Sequence, residues 1–386
     1  MHRTLSLSLV VCLTILCMCG FTLASSVQVY YALEGTTLVT YNINPHTLNF
    51  TQVGTLKTSA STAYWLVPST NDHFLYFAGL DANQNERLWV YATDASGAPQ
   101  PSPVQVMDAT GLDSIQMDPK ANFLYAIYGF LNSDGWHTTY NIQRYLVDAG
   151  KGTISQPATQ ATETLPTFDA DYCTVSIQGF NSTASKLYDQ VYCNTHEGPQ
   201  ATYYERTVNN TTGALGPDVQ IYSWSVYLQG GEVVQFVGNH MFDFRTSGDY
   251  PPIQSIDIFP AVPNRSKPLV QCTASMIAAC GNFPNGGIAH PSGKYVFLLV
   301  SNTTTQIERV DLKNHKLVDT SNQIPNLVNQ FSPDGTLAYT SNYTGQGYYI
   351  TVYGFNVTTS QVTPGGQIFV GQQGTVWDEF YPARRF

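Results

Sequence analysis

The sequence predicts an all-β protein that folds as one seven-bladed β-propeller with four antiparallel strands per blade. Three observations lead to this expectation: a hairpin pattern that recurs seven times, a second strand pairing between successive hairpins, and chain ends that complement each other. The sequence lacks helical periodicity over three turns or more. A helix bundle and a sheet built from βαβ units are therefore excluded.

The first observation is a repeat of roughly fifty residues, a length typical of propeller blades. In each copy, a short run of alternating apolar and polar residues is followed by a turn rich in Asp, Asn, Gly, Thr or Pro, and then by another short run. The seven copies begin at residues 37–50, 87–100, 141–155, 203–216, 253–269, 306–318 and 350–363. Seven hairpins at this spacing predict seven structural units.

The second observation is a further pairing between these hairpins, in which an apolar run, a Pro/Gly/Asn turn and an aromatic-rich run follow one another. The copies are 64–79, 115–129, 287–302 and 329–342, with weaker copies at 175–193 and 227–239. The two pairings give each unit four strands, named A to D in chain order. A four-stranded sheet cannot cover both its faces alone, so we expect the units to stand radially around a channel.

The third observation concerns the chain ends. The first unit begins directly with a B-like run at 27–33 and has no A strand before it. The last residues, 380–386, align with 117–123, which form the end of the A strand and the turn of the third unit. We therefore expect the segment 376–386 to pair beside the N-terminal strands as the innermost strand of blade 1, which closes the ring and removes an open sheet edge.

The N-terminal segment predicts export. Arg3 precedes the uncharged apolar run 5–23, which ends in the small-residue site Thr22-Leu23-Ala24. This layout is typical of a secretory signal peptide, here residues 1–24, and leaves a single domain over 25–386. A second apolar run of spanning length is missing, so we expect a secreted or periplasmic protein that does not insert in the membrane after cleavage.

The composition limits the partners. The chain has 17 Lys and Arg against 27 Asp and Glu, a formal net charge of −10, and only 11% charged residues. Clusters of Lys and Arg are missing, which argues against nucleic acid and anionic membrane surfaces. The sequence also lacks GxSxG, HExxH, P-loop and GxGxxG motifs. We expect a monomer that needs no cofactor and binds a small molecule, a carbohydrate or a protein.

Four cysteines follow the predicted signal peptide, and an even number in an exported chain predicts disulfides. Cys173 and Cys193 are equidistant from Thr183, which lies in the predicted A–B turn of blade 4. Because paired residues of an antiparallel hairpin have a constant index sum, these two cysteines should face each other. Cys272 is then left to pair with Cys280.

The strand and turn signatures resemble a known family. At FSPDGTLAYTSN (331–342) and HPSGKYVFLLVSN (290–302), the chain is similar to the lactonase-type seven-bladed propellers, the 6-phosphogluconolactonase-like family with YVTN-type repeats. The resemblance extends over essentially the whole mature chain and implies ring-opening hydrolysis of a sugar lactone, without a cofactor, at one face of the channel. Its motifs specify blades, and none assigns a catalytic residue.

Propeller geometry separates two faces. The B–C and D–A loops lie on one face, here called the loop face, and the A–B and C–D turns lie on the opposite turn face. Three histidines are predicted on B–C loops of blades 3, 4 and 5, with further candidate residues beside them: His137, His196 and His240, with Trp136, Glu197 and Arg245. Long loops on a rigid scaffold often bind ligands. Three unrelated solvated histidines remain the alternative.

A second candidate set lies on the A strands, which line the channel. These polar or amphipathic residues interrupt strands that otherwise carry aliphatic side chains: Asp113, Gln116, Gln330, Trp377, Asp378 and Glu379. The candidate catalytic residues of the two sets are His137, His196, Glu197, His240, Asp113, Asp378 and Glu379. The candidate ligand contacts are Trp136, Arg245, Trp377, Gln116 and Gln330. Hydrogen bonding to channel water and neighbouring blades is the alternative. His290, in the A–B turn of blade 6, is interpreted as a turn residue.

Two functions from different classes follow. One is a lactone hydrolase, that is, a carboxylic ester hydrolase acting at the channel mouth. The other is a non-catalytic propeller outside the cytoplasm that binds a glycan, a small molecule or a protein. Propellers support many activities, so the fold does not choose between them.

Overall fold

The computed structural model describes most of the chain after the predicted signal peptide. The described residues are 28–34, 36–69, 73–168, 171–181, 183–195, 198–225, 232–246, 253–261, 268–273, 287–301, 303–344, 347–371 and 376–384. They contain strands and turns and no helix. The predicted signal peptide lies outside the described residues.

The strands group into blades in chain order. Blade 1 has β1 (Gln28–Glu34), β2 (Thr37–Ile43) and β3 (Phe50–Lys57); blade 2 has β4 (Thr62–Pro68), β5 (Phe74–Leu80), β6 (Glu86–Ala92) and β7 (Gln105–Asp108). Blade 3 has β8 (Leu112–Met117), β9 (Phe123–Leu131), β10 (His137–Leu146) and β11 (Ala158–Phe168). Blade 4 has β12 (Asp171–Phe180), β13 (Lys186–Thr195), β14 (Gly198–Val208) and β15 (Leu215–Ser225).

The second half of the ring repeats the arrangement. Blade 5 has β16 (Glu232–Val237), β17 (His240–Thr246), β18 (Ile253–Pro260) and β19 (Val270–Thr273); blade 6 has β20 (Gly287–Ala289), β21 (Tyr295–Ser301), β22 (Thr304–Asp311) and β23 (Lys316–Pro325). Blade 7 has β24 (Val328–Phe331), β25 (Leu337–Thr344), β26 (Gly347–Phe355) and β27 (Val362–Gly371). The last strand, β28 (Val376–Arg384), joins blade 1.

The chain closes on itself as the sequence predicts. β28 pairs antiparallel with β1, in a register that places Gln28 opposite Arg384 and Ala32 opposite Phe380. The first strands of successive blades touch in a ring, in the order β28, β4, β8, β12, β16, β20, β24 and back to β28. The seven-bladed propeller with a C-terminal closing strand is therefore confirmed.

The core lies between blades. One cluster joins Tyr76 of blade 2 to Leu124 of blade 3, and another joins Phe244 of blade 5 to Leu298 of blade 6. The B strands are buried on both faces, since each face packs against a different neighbour. Hence these strands are continuously apolar and aromatic in sequence.

Tyrosine hydroxyls tie neighbouring blades together on the turn face. In three consecutive junctions, a B-strand tyrosine donates to a glycine carbonyl in the C–D turn of the next blade: Tyr31 to Gly97 at 2.8 Å, Tyr76 to Gly152 at 2.9 Å and Tyr125 to Gly213 at 2.7 Å. Each of these glycines has a positive φ. Each buried hydroxyl bond contributes about 1 kcal/mol to stability.

The A–B turns are closed by a single polar side chain placed just after the A strand. Asp118 accepts from the amides of Asn122 and Phe123 at 2.7 and 2.6 Å. In blade 6 this position is held by fully buried His290, which bonds Ser292 through Nδ1 and the Gly335 carbonyl through Nε2, both at 2.8 Å. The interpretation of His290 as a turn residue is confirmed.

The A–B hairpin of blade 5 differs from the prediction. The sequence analysis placed the whole hairpin within 227–239, but its turn is Gly238–Asn239, between β16 and β17. Gly238 has a φ of 61°, and Gly-Asn is a two-residue hairpin signal. The prediction assigned β17 to a loop because Asp243 and Arg245 interrupt its apolar residues, although Met241 to Phe244 are all buried.

The predicted disulfide between Cys173 and Cys193 is confirmed. The two residues are register partners in β12 and β13, with their Cα atoms 4.0 Å apart. Cys280 lies outside the described residues, and so does the side chain of Cys272, so their pairing stays a prediction. In the described part of the chain, no helix is long and apolar enough to cross a membrane.

Ring closure can be tested by deleting residues 375–386. We expect aggregation and a lower melting temperature, because the deletion exposes the edge of β1 and removes a channel-lining strand. Size-exclusion chromatography with light scattering and thermal melting measure both effects.

The control transposes residues 375–386 to precede Ser25. Joining Phe386 to Ser25 leaves five residues between β28 and β1, the same number that separates β8 from β9. The transposed chain should be monomeric and as stable as the original. A truncated protein that stays monomeric with an unchanged melting temperature would contradict the closure.

Candidate functional site

The innermost strand of blade 3 presents a carboxyl at the loop face. In β8, Leu112 faces Tyr128 and Ser114 faces Ile127 of β9, so Asp113 is the extra residue of a β-bulge. A bulge re-aims the side chain of its extra residue away from the regular pleat. Asp113 follows the D–A loop directly and is exposed to solvent.

Gly129 in β9, the B strand of blade 3, leaves space for the Asp113 carboxyl. A Cβ atom added at Gly129 would lie 2.6 Å from Oδ2 of Asp113 and 2.9 Å from the ring of Tyr140. The absence of a side chain at Gly129 therefore lets the Asp113 carboxyl lie against β9, close to that ring. Tyr140 is fixed from the other side, because its hydroxyl donates to the Cys173 carbonyl of blade 4 at 3.0 Å.

A second carboxylate reaches this sector from blade 2. Glu86 begins β6, and its side chain accepts a hydrogen bond from the backbone amide of Gly111 in the loop before β8. Desolvation, assisted by the negative charge of Glu86, raises the pKa of Asp113 from 3.8 to about 6. Desolvation and Glu86 also raise the pKa of Tyr64, which occupies the corresponding bulge in β4.

The B–C loop of blade 3 lies on the same face. Asp134 accepts from the amides of Trp136 and His137 at 2.8 and 3.1 Å, and its Oδ2 lies 2.8 Å from Nδ1 of His137. These hydrogen bonds, the Trp136 amide first, lower the pKa of Asp134. The Trp136 side chain is 54% exposed. The loop thus presents an oriented imidazole and a large aromatic surface to solvent.

The prediction for His240 is wrong. It was expected on the B–C loop of blade 5, but it is the first residue of β17 and follows the A–B turn, so it lies on the turn face. The reason is the missed Gly238–Asn239 turn described above. A polar wall shared by His137 and His240 is therefore excluded by topology. His196 and Glu197, between β13 and β14, lie outside the described residues.

The remaining candidates divide by position along the channel. Gln116 and Gln330 are half-buried and lie toward the turn-face ends of β8 and β24, away from Asp113. Trp377, Asp378 and Glu379 lie near the loop-face end of β28, which is separated from β8, the strand of Asp113, by the A strand β4. Arg245 lies in β17. The side chains of these last four residues are outside the described part, so their roles stay predictions.

Sequence reasoning missed the surroundings of Asp113. Glu86, Tyr140 and Gly129 come from three strands and two blades, and they meet only through the bulge and the inter-blade packing. The isolated Gly129 in an apolar strand was the available signal, because glycine there often marks close approach by another group. Among the described residues, no group of three or more His, Cys, Asp or Glu side chains is placed to hold a metal ion.

Comparison with solved structures identifies the fold. The chain is similar to proteins named as candidate 6-phosphogluconolactonases from Bacteroides fragilis (13% identity, 90% of this chain and 97% of that chain, TM-score 0.57) and Bacteroides uniformis (13%, 93% and 100%, TM-score 0.58). It is also similar to an oligogalacturonate lyase solved with manganese (11%, 92% and 86%, TM-score 0.50).

These likenesses show the propeller fold and leave the chemistry open, since a lyase shares the same architecture. No protein-family model matches the chain. A search of curated proteins also finds no match.

The coupling between Asp113 and Glu86 can be measured directly. In protein carrying ¹³C-labelled Asp carboxyls, the Asp113 resonance should titrate near pH 6. Its signal is assigned by its absence in Asp113→Asn. Glu86→Gln keeps an oxygen for the Gly111 amide but removes the charge, so the midpoint should fall. A midpoint near 4 in the unchanged protein would contradict the described environment.

Proposed function

We propose that the protein is a lactone hydrolase that opens an uncharged lactone at the loop-face mouth of the channel, with Asp113 as the general base. The observation that carries this proposal is a carboxyl with a raised pKa at the loop-face end of the innermost strand of blade 3, in a propeller similar in fold to candidate lactonases. Functional sites are where such shifts concentrate.

The chemistry follows from the protonation state of Asp113. At neutral pH its carboxylate form predominates, and with a pKa of about 6 it is a stronger base than an ordinary aspartate. It takes a proton from a water molecule while the water oxygen bonds to the lactone carbonyl carbon. The ring C–O bond then breaks, and the departing ring oxygen takes the proton back from Asp113. Lactone and water thus give one hydroxy acid, and the base is regenerated.

The charge of the site supports an uncharged substrate. Among the described residues, the loop face of blades 2 and 3 carries these carboxylates: Asp81, Glu86, Asp108, Asp113 and Asp134. Arg87, which lies beside them, is paired with Asp81 at 3.3 Å and Asp108 at 3.4 Å. A phosphorylated lactone would be repelled by this field.

The predicted export also argues against a phosphorylated substrate, because phosphorylated sugar lactones are cytosolic metabolites. We infer export from the signal-peptide pattern at residues 1–24 together with the Cys173–Cys193 disulfide. Disulfides persist in oxidising compartments. A neutral sugar lactone outside the cytoplasm is therefore the substrate class that fits both observations.

Binding without catalysis is the second candidate function. It is favoured by the B–C loop of blade 3, where the side chains of Leu131 and Trp136 are 67% and 54% exposed. Large exposed apolar side chains grouped on one loop are typical of interaction sites.

Replacing Asp113, the proposed base, distinguishes lactone hydrolysis from binding without catalysis. Purified mature protein is assayed by proton release with neutral aldonolactones and a phosphorylated lactone. We expect turnover of a neutral lactone, and Asp113→Asn should lower it by roughly 10²- to 10⁴-fold, as loss of a general base does. Asp108→Asn, which changes an exposed acid on the outermost strand of blade 2, serves as the matched control. Turnover by Asp113→Asn equal to that of the control would contradict the assignment, and an inactive unchanged protein would favour binding alone.

The pH profile gives an independent test. Since Asp113 must be deprotonated to act, kcat/KM should be flat above about pH 7 and fall tenfold per pH unit well below pH 6. Glu86→Gln should move the midpoint to lower pH, because the charge that helps to raise the pKa is gone. A midpoint that does not respond to Glu86→Gln would argue that another group is titrating.

A further inference from the structure

A groove runs along the rim of the ring between blades 2 and 3. Its volume is about 500 Å³, within the range of small-ligand sites. One wall is the short outermost strand β7, and the other consists of side chains from β9 and β10. The groove is separate from the channel, because β7 is the strand of blade 2 farthest from the axis, whereas Asp113 lies on the innermost strand of blade 3.

Two parallel, stacked aromatic rings form part of the groove wall. The rings of Tyr128 and Phe130 are 6.4 Å apart with an interplanar angle of 7°. Tyr128 is buried, whereas Phe130 is 41% exposed. The Phe130 ring fits beside the D–A loop because Gly111 has no side chain there, and an added Cβ would lie 3.2 Å from it. The exposed part of the Phe130 ring is thus an apolar surface held in place by Tyr128 and the D–A loop.

Polar groups stand beside this surface. The Tyr128 and Tyr145 hydroxyls are 2.5 Å apart, and the Tyr145 hydroxyl lies 3.4 Å from Oε1 of Gln143. These contacts orient the Gln143 amide so that its Nε2 group is available as a donor. Gln156 is exposed at the groove and adds a second amide, with both a donor and an acceptor.

The groove is close to neutral. It has no basic side chain among its lining residues, all of which lie within the continuously described range 73–168. Its one acidic group, Asp108, is paired with Arg87 at 3.4 Å and accepts from the Thr110 hydroxyl at 3.0 Å. An anionic ligand would find no counter-charge here, and a cation would compete with Arg87.

We propose that this groove binds a neutral saccharide. An aromatic face beside oriented amides matches the chemistry of a sugar ring, which has an apolar C–H face and hydroxyls at its edge. Val106 of β7 is also exposed at the groove and adds to its apolar lining.

The test is affinity electrophoresis of the mature protein in native gels that contain a soluble neutral polysaccharide: dextran, starch, mannan or mixed-linkage β-glucan. A gel containing polygalacturonate tests an anionic chain. We expect retardation in at least one neutral gel and none with polygalacturonate. Phe130→Ala and Gln143→Ala should each weaken the apparent affinity at least tenfold.

Phe369→Ala is the matched control, since Phe369 is 45% exposed on the outermost strand of blade 7. It should leave retardation unchanged, and so should Asp113→Asn, which makes this result independent of the proposed hydrolase. Melting curves establish that the variants are folded. Absence of retardation in all neutral gels overturns the proposal. Equal retardation of Phe130→Ala and Phe369→Ala, or stronger retardation by polygalacturonate, overturns it as well.

Discussion

The structure depends on one constraint: each blade can bury its two faces only against its neighbours. The apolar clusters lie between blades, as where Tyr30 of blade 1 packs against Tyr339 of blade 7 with ring centroids 4.9 Å apart. A missing contact at any junction would leave two sheet faces in water. The pairing of β28 with β1 completes blade 1, and the packing of blade 1 against blade 7 closes the ring.

The two faces of the ring differ in the contacts that their polar side chains make. On the turn face, tyrosine hydroxyls and capping side chains such as His290 use the polar atoms of the turns to hold blades together. On the loop face between blades 2 and 3, Asp108, Asp113 and Phe130 are exposed to solvent. Between blades 3 and 4, β11 and β12 pair directly through Phe168 and Asp171, which merges two blades into one eight-stranded sheet beside Asp113. The candidate base thus lies on a rigid support.

The fold can be predicted from the sequence because the patterns that specify strands and turns involve residues close together in the chain. Turn residues, alternating strands and the index sum of Cys173 and Cys193 each depend on neighbours in the same hairpin, and all are confirmed. The B strand of blade 5 was assigned to a loop because Asp243 and Arg245 interrupt its apolar residues. The site is harder to predict: Asp113 was recognised as a channel acid, but its pKa depends on Glu86, which lies in another blade and approaches only through packing.

Charge, more than fold, separates the possible substrates. Proteins that share this architecture at 11 to 13% identity are named for different chemistries, so the shape of the ring does not select a reaction. The loop face adds carboxylates around Asp113, whereas the rim groove pairs its only acid with Arg87. Both features disfavour anionic ligands, one by repulsion and one by the lack of a counter-charge. Because both lie on blades 2 and 3, the two proposals, a neutral lactone at the channel mouth and a neutral saccharide at the rim, call on the same ligand chemistry in one sector of the propeller.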